Sequence, residues 1–256
     1  MVRIDDLDTP RNRPGANQAI LSCLERFGLE WDGPIDYQSQ HLDQYQAAIA
    51  QLSSQQQVYP CYCSRKQLNN HADQYPGFCR HHPPETGAES ALRLKTYPGQ
   101  ISFTDRLHGL ICEDLAASQG DFVIQRKDRI FAYQLAVVVD DHRQQINQVV
   151  RGYDLLESTP KQIYLQQLLG YLQPNYLHVP ILVDAQGQKL SKQSFAQAVD
   201  PSQPVKTLWT LLGLLKQQPP QNLLNASLQE VLDWAVLNWR PEQLKTITKL
   251  SAPPIA

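Results

Sequence analysis

The most pointed chemistry in this sequence begins at Cys61-Tyr62-Cys63, followed after eleven residues by Tyr75 and after three more by Cys79. Thiolates are soft ligands that suit zinc, and close cysteines separated by a short loop can converge on a tetrahedral ion. Three cysteines leave one vertex open. His71, His81 and His82 are the conventional candidates for it, and Tyr75 the unusual one. The pattern predicts one Zn2+ per chain, against the plainer reading of three thiols that hold no metal. A second signal is Lys189-Leu190-Ser191-Lys192-Gln193, placed behind a strand and a loop containing Gly187. Two lysines there could neutralise charge building on phosphate oxygens, whereas a solvated basic turn is the alternative. The third signal is Phe131 to His142, an apolar run ending in Val139-Asp140-Asp141-His142, followed by Val150-Arg151-Gly152-Tyr153-Asp154-Leu155-Leu156. Charged groups behind a long apolar run lie at an element's end, where open α/β sheets place their ligands. Arg151 could donate two parallel hydrogen bonds to a carboxylate, or serve a structural ion pair with Asp140 or Asp154. His142 beside Asp141 reads as a structural hydrogen bond rather than an acid/base pair.

Elements must position these groups. Val2-Arg3-Ile4 reads as a buried strand, and Pro14 opens a helix running through Phe27, with Gly28 ending it. Residues 41–54 place Leu42, Tyr45, Ile49 and Leu52 at helical spacing. Residues 58–90 crowd cysteine, histidine, glycine and proline without periodicity, which suggests an irregular, metal-stapled tract. Residues 91–94 and 101–103 alternate as strands, while periodicity leaves Phe131 to Asp140 undecided between strand and helix. Ser158-Thr159-Pro160 is a helix entry, with the helix running to Leu169 before Gly170. Val179 to Val183 reads as a strand. Leu208 to Leu215, Leu228 to Asn238 and a short piece after Pro241 read as helical.

Strands feeding helices indicate an α/β protein, and 256 residues suffice for a real core. Hydrophobic residues at 42% and charged residues at 19% exclude a membrane class, and no apolar run approaches the roughly 18 to 20 residues of a span. The acidic start Asp5-Asp6 argues against a secretory leader, so a cytoplasmic protein is expected. The net charge of −2 offers no global attraction to a polyanion, so any RNA contact must be local. Cys23 and Cys112 have no partner at metal spacing and read as isolated buried thiols.

Taken in order, these blocks resemble the glutamyl-tRNA synthetases, and more closely their short relatives, the glutamyl-queuosine tRNA(Asp) synthetases. Arg3-Ile4-Asp5-Asp6-Leu7-Asp8-Thr9-Pro10-Arg11 is similar to that family's R-I-E/D-D segment, and Gly28-Leu29-Glu30-Trp31-Asp32-Gly33 to its G-L-x-W-D-G. The cysteine pattern, V-V-D-D-H, R-G-x-D-L-L-x-S-T-P and KLSKQ then follow in the family's order. The resemblance implies a class I synthetase Rossmann-like catalytic fold with a small zinc-bearing, acceptor-binding-like insertion. On it, residues 1–57 form the first part of the catalytic domain, 58–110 the insertion, 111–200 the second part with the KLSKQ loop, and 201–256 a C-terminal helical segment. It implies further that Asp5 holds a substrate ammonium, Tyr133 lines the amino-acid pocket, Arg151 grips a glutamate carboxylate and Lys192 contacts ATP phosphates. It favours Tyr75 over the histidines as the fourth zinc ligand, with Cys61, Cys63 and Cys79.

The segment after Gln193 is too short for the helical anticodon-binding domain of a complete glutamyl-tRNA synthetase. The resemblance therefore implies that a monomer activates glutamate with ATP and Mg2+ and transfers it to queuosine in the anticodon of tRNA(Asp). The family opens upstream with a strand, an R-F-A-P-S-P-like loop and an H-x-G segment, none of which occurs in these 256 residues. The expectation is thus a chain without the first strand and helix, binding ATP poorly and nearly inactive. Competing readings are an inactive remnant, a ligase charging tRNA(Glu) directly, and a zinc-stabilised RNA-binding module.

Overall fold

The computed structural model describes residues 1–68, 74–82, 89–190 and 199–252. Strand β1 (Arg3–Ile4) leads into α1 (Ala16–Arg26) and pairs in parallel with β2 (Asp36–Tyr37). Helix α2 (Leu42–Ser54) follows, then β3 (Val58–Cys61), α3 (Arg65–Leu68), α4 (Phe78–His81) and β4 (Ala91–Leu94). Residues 58–90, expected to be irregular, thus contain a strand and two single-turn helices.

Strands β5 (Gln100–Asp105) and β6 (Gly109–Asp114) make a hairpin, followed by α5 (Leu115–Ser118) and β7 (Phe122–Gln125). Helix α6 (Tyr133–Arg143), β8 (Gln148–Gly152), a 3-10 segment (Tyr153–Ser158), α7 (Thr159–Leu169) and β9 (Asn175–Val179) complete the central unit. The rest comprises β10 (Ile181–Val183), α8 (Pro204–Leu214), α9 (Leu228–Asn238) and β11 (Lys249–Ser251).

The largest sheet among the described residues runs β6-β5-β9-β8, with β5, β9 and β8 parallel and β6 antiparallel. A second sheet, β3-β4-β7, is antiparallel. The expected boundary at residue 110 falls inside β6, whose partner β5 reaches β9, while β4 pairs with β7 across the same point. The apolar stretch 179–183 is two strands rather than one. Pro180 divides it, lacking the N–H a ladder needs, and β10 turns away to pair with β11.

The undecided run 131–140 is helical. Leu135, Ala136, Val137, Val138, Val139 and Asp140 are all buried, so α6 has no polar face through this stretch from which a period could be read. It packs among Tyr45, Ile49 and Leu52 of α2, Leu94 of β4, Phe122 and Ile124 of β7, and Leu165 and Leu169 of α7. Each fully buried aliphatic side chain here contributes roughly 1.5 to 3 kcal/mol. A smaller core beneath the main sheet joins Ile101, Phe103, Leu115, Ile163 and Tyr176. Near the C-terminus Leu212, Leu223 and Val231 form another cluster, and Ser227 with Glu230 closes a capping box on α9. Gly28, with φ +69°, ends the first helical segment where a Cβ would come within 2.9 Å of Leu232, so α9 approaches the α1 turn closely. No described helix is long and apolar enough to cross a membrane.

Candidate functional site

Asp5 is the residue after β1, Tyr133 opens α6, and Arg151 is the penultimate residue of β8. All three line one open cleft of about 380 Å3, together with Arg3 and Asp141. Asp5 and Arg151 lie at strand carboxyl ends, where α/β sheets present ligand-binding groups. Arg3 fixes the cleft's floor. Its Nε donates to Asp5 Oδ1 at 2.9 Å, and its Nη1 donates to Asp141 Oδ1 at 2.8 Å and Gln144 Oε1 at 2.9 Å. Burial raises the Asp141 carboxyl above its ordinary range, against the opposing pull of Arg3. A carboxylate, a guanidinium and a half-exposed phenol around one opening complement the two charges of an amino acid and its side chain.

Arg151 does not form the ion pair with Asp140 or Asp154 that the sequence left open. Its Nε donates to His178 Nε2 at 3.1 Å and its Nη2 to Thr159 Oγ1 at 2.7 Å. Asp140 is buried and accepts from Gln38 Nε2 and Tyr45 Oη, each at 2.8 Å, while Asp154 pairs with Lys189. The structural hydrogen bond expected between His142 and Asp141 is not formed either. Its ring stacks on Tyr171 at 3.7 Å between centroids, with 4° between planes. Of the residues that hold Arg151, Thr159 was read from the sequence only as part of a helix entry, and His178 and Asp105 behind it were not singled out. A histidine inside the apolar strand Tyr176-Leu177-His178-Val179 was the available signal.

Of the lysine loop, Lys189 and Leu190 are described, whereas Ser191, Lys192 and Gln193 lie outside the described residues. Lys189 bridges back to Val183, and Leu190 N–H donates to Leu182 O at 2.9 Å. Asp184 accepts from the amides of Gln186 and Gln188, closing the turn through Gly187. A Cβ at Gly152 would lie 2.5 Å from Asp154 Oδ1, so any larger residue there must displace the Asp154 carboxylate. Asp154 of the R-G-x-D block thus anchors the base of the lysine loop, while Arg151 is oriented by His178 and Thr159.

The thiols of Cys61, Cys63 and Cys79 all lie within 4.8 Å of one another. The Tyr75 hydroxyl is 3.5 Å from Cys61 Sγ and 3.7 Å from Cys63 Sγ, and Cys63 and Cys79 sulfurs are 3.5 Å apart. Zinc bonds of about 2.3 Å to sulfur and 2.0–2.2 Å to oxygen set tetrahedral edges of about 3.8 Å and about 3.5 Å. The donor set fits. His81 and His82 are exposed, and no described histidine joins the group; His71 lies outside the described residues. Arg93 supports the cluster, donating to Cys61 Sγ at 3.3 Å and lying 3.7 Å over the Tyr75 ring. Burial opposes the Cys61 thiolate, but Tyr75 and Arg93 outweigh it and lower the thiol. Cys63, chiefly through burial, is pushed up to about 11. Away from the cluster, Cys23 is partly buried and Cys112 is exposed on β6, so neither is the buried thiol expected.

The catalytic-domain family described as "tRNA synthetases class I (E and Q), catalytic domain" matches residues 1–208. A Glutamyl-Q tRNA(Asp) synthetase of Pseudomonas aeruginosa is 48% identical over 241 residues, covering 93% of this chain and 81% of its own. The chain belongs to this synthetase family. A second member, from Aromatoleum aromaticum, is 46% identical over 254 residues, covering 95% of this chain and 80% of its own. The family's fold agrees with solved structures. A glutamate-tRNA synthetase from Elizabethkingia anophelis superposes with a TM-score of 0.77 at 21% identity, covering 98% of this chain and 61% of that one. A glutamate tRNA ligase from Elizabethkingia meningosepticum, solved with its amino acid, gives 0.75 at 21% identity, covering 98% and 60%. The chain spans about three fifths of these two structures. It has the class I α/β catalytic fold expected from the sequence.

Proposed function

We propose that this chain carries the glutamate site of an enzyme that activates glutamate with ATP, using also an H-x-G segment that these 256 residues do not contain, and transfers it to queuosine in the anticodon of tRNA(Asp). The observation that carries the reading is the cleft shared by Asp5, Tyr133 and Arg151, in a chain close to relatives named for that product. Asp5 meets the ammonium of glutamate, Arg151 a carboxylate, and Tyr133 closes the side. The α-carboxylate attacks the α-phosphorus of Mg2+-bound ATP in line and expels pyrophosphate. A hydroxyl of the queuosine cyclopentenediol then attacks the acyl carbon, releasing AMP. Positioning and charge neutralisation do most of this work, with Lys192 and its loop serving the phosphates.

Residues 58–110 act as the insertion that meets RNA, stapled by one Zn2+ on Cys61, Cys63, Tyr75 and Cys79, where the metal supplies structure rather than chemistry. The working form is a cytoplasmic monomer. The test uses this chain preceded by the family's first strand and H-x-G segment, and incubates it with radiolabelled glutamate, ATP and Mg2+, offering tRNA(Asp) with and without queuosine, and tRNA(Glu). Label confined to queuosine-containing tRNA(Asp) is the expected result. Label on tRNA(Glu) would establish direct charging instead, and absence of both glutamate binding and glutamate-dependent pyrophosphate exchange would overturn the reading.

A further inference from the structure

His178 is a histidine with no exposed surface inside the parallel sheet, and the proposed reaction gives it no direct task. Its surroundings fix its chemistry. Asp105, at the end of β5 and itself buried, accepts from the His178 backbone N–H at 3.1 Å and lies 2.7 Å from its Nδ1. The other ring nitrogen, Nε2, faces Arg151 Nε at 3.1 Å and Thr159 Oγ1 at 3.1 Å. A guanidinium can only donate, so Nε2 must accept and the ring proton must lie on Nδ1, toward Asp105. Burial disfavours the imidazolium, and Arg151 adds repulsion; together these outweigh Asp105 and lower His178 from its usual value. The neutral ring is therefore the form present near neutrality.

The consequence reaches the cleft through guanidinium geometry. The group offers carboxylates two bidentate edges, one from Nε and Nη2 and one from Nη1 and Nη2. His178 and Thr159 occupy the first. Among the described residues nothing accepts from Nη1. We infer that His178, held by Asp105, is the positioning residue for Arg151: it occupies the guanidinium's Nε–Nη2 edge and commits the Nη1–Nη2 edge to the substrate carboxylate. This rests on the reading that Arg151 grips glutamate, and deepens it. His178 itself touches no substrate.

The test is a double-mutant cycle read by calorimetric glutamate binding. His178→Leu removes the acceptor while keeping most of the volume, His178→Gln restores an acceptor near the Nε2 position, and Arg151→Lys keeps charge but has no Nε edge to hold. His178→Leu is expected to weaken glutamate binding about tenfold, the scale of one misdirected charge-assisted hydrogen bond. His178→Gln should recover most of that loss. In the Arg151→Lys background, His178→Leu should change the affinity by less than about twofold. An equal loss in both backgrounds would make His178 merely structural, and unchanged binding in His178→Leu would remove the positioning role; either overturns the inference. If Arg151→Lys binds as the parent does, or the parent binds no glutamate, the underlying reading of Arg151 fails instead. A nitrogen-15 histidine spectrum gives an independent check, since a proton on His178 Nε2 near neutral pH would refute the arrangement without any ligand.

Discussion

Replacing Tyr75 by phenylalanine separates a four-ligand zinc site from three thiols that happen to be neighbours. The ring is buried, with Arg93 over its face, so the substitution preserves the volume and most of the packing. Only the oxygen is lost. That oxygen lies at tetrahedral-edge distances from Cys61 and Cys63 sulfur, and accepts the Cys79 backbone N–H at 3.0 Å. Without metal, the loss leaves one buried N–H unpaired, a cost of about 1 to 3 kcal/mol. With metal, it also opens one vertex. Disturbing an outer-shell partner already weakens metal sites by about 10- to 100-fold, so loss of a direct ligand should weaken zinc by at least about 100-fold. Competition against a chromophoric chelator reads the affinity, and thermal unfolding with and without chelator reads the coupling to stability. Parent protein should carry one zinc and lose stability with chelator, whereas Tyr75→Phe should be less stable and far less sensitive to it. A variant that holds zinc as tightly as the parent would refute the phenolate and return the fourth vertex to a histidine.

Gly152→Ala should destabilise the chain by less than about 1 kcal/mol, measured by urea unfolding, because the new methyl displaces only the flexible Asp154 carboxylate and its solvent-exposed pair with Lys189. Asp36 pairs with His41 and Arg143; burial opposes its ionisation, but these partners win and hold the carboxyl below its ordinary value. Its contribution is therefore present above the unfolded-state value of about 4 and is lost as pH falls through the lower folded-state value. Asp36→Asn should cost about 1 to 3 kcal/mol at pH 7, and the gap between the two unfolding free energies should narrow as the pH drops below about 4. Leu135→Ala, at a position with no exposed surface in α6, should cost about 2 to 5 kcal/mol by the same measurement.

Segments with one buried face could be read directly from the sequence. Helix α2 shows Tyr45, Ile49 and Leu52 inward at helical spacing, and β5 buries Ile101, Phe103 and Asp105 in strict alternation. Legibility ended where burial surrounds the element or where the pairing partner is distant in sequence. Residues 135–139 of α6 are apolar and buried in unbroken succession between α2 and α7, so period could not distinguish the run from a strand. Strands β2 and β11 have only two and three residues, and each exists because a remote strand, β1 or β10, supplies its hydrogen bonds. No local pattern contains that information.

The cleft divides along the same line. Asp5, Tyr133 and Arg151 were readable because each stands in a motif of recognisable order, and the fold brings them to one opening. What Arg151 does with its hydrogen bonds was not, because its partners Thr159 and His178 come from α7 and β9, and Asp105, which holds His178, from β5. The adjacent carboxylates Asp140 and Asp141 teach the same point. They are chemically identical in the sequence, yet helical geometry turns them about 100° apart on α6. Asp140 consequently enters the core and binds Gln38, Tyr45 and Arg143, whereas Asp141 reaches Arg3 at the cleft. One acid therefore holds α6 to α2 and the segment before it, and the other holds β1 to α6, keeping Asp5 across the opening from Arg151. Exchanging either for asparagine should thus give different outcomes: loss of folding stability at Asp140, and at Asp141 weakened glutamate binding with smaller loss of stability. Equal effects of the two substitutions on binding and on stability would show that this division of roles is wrong.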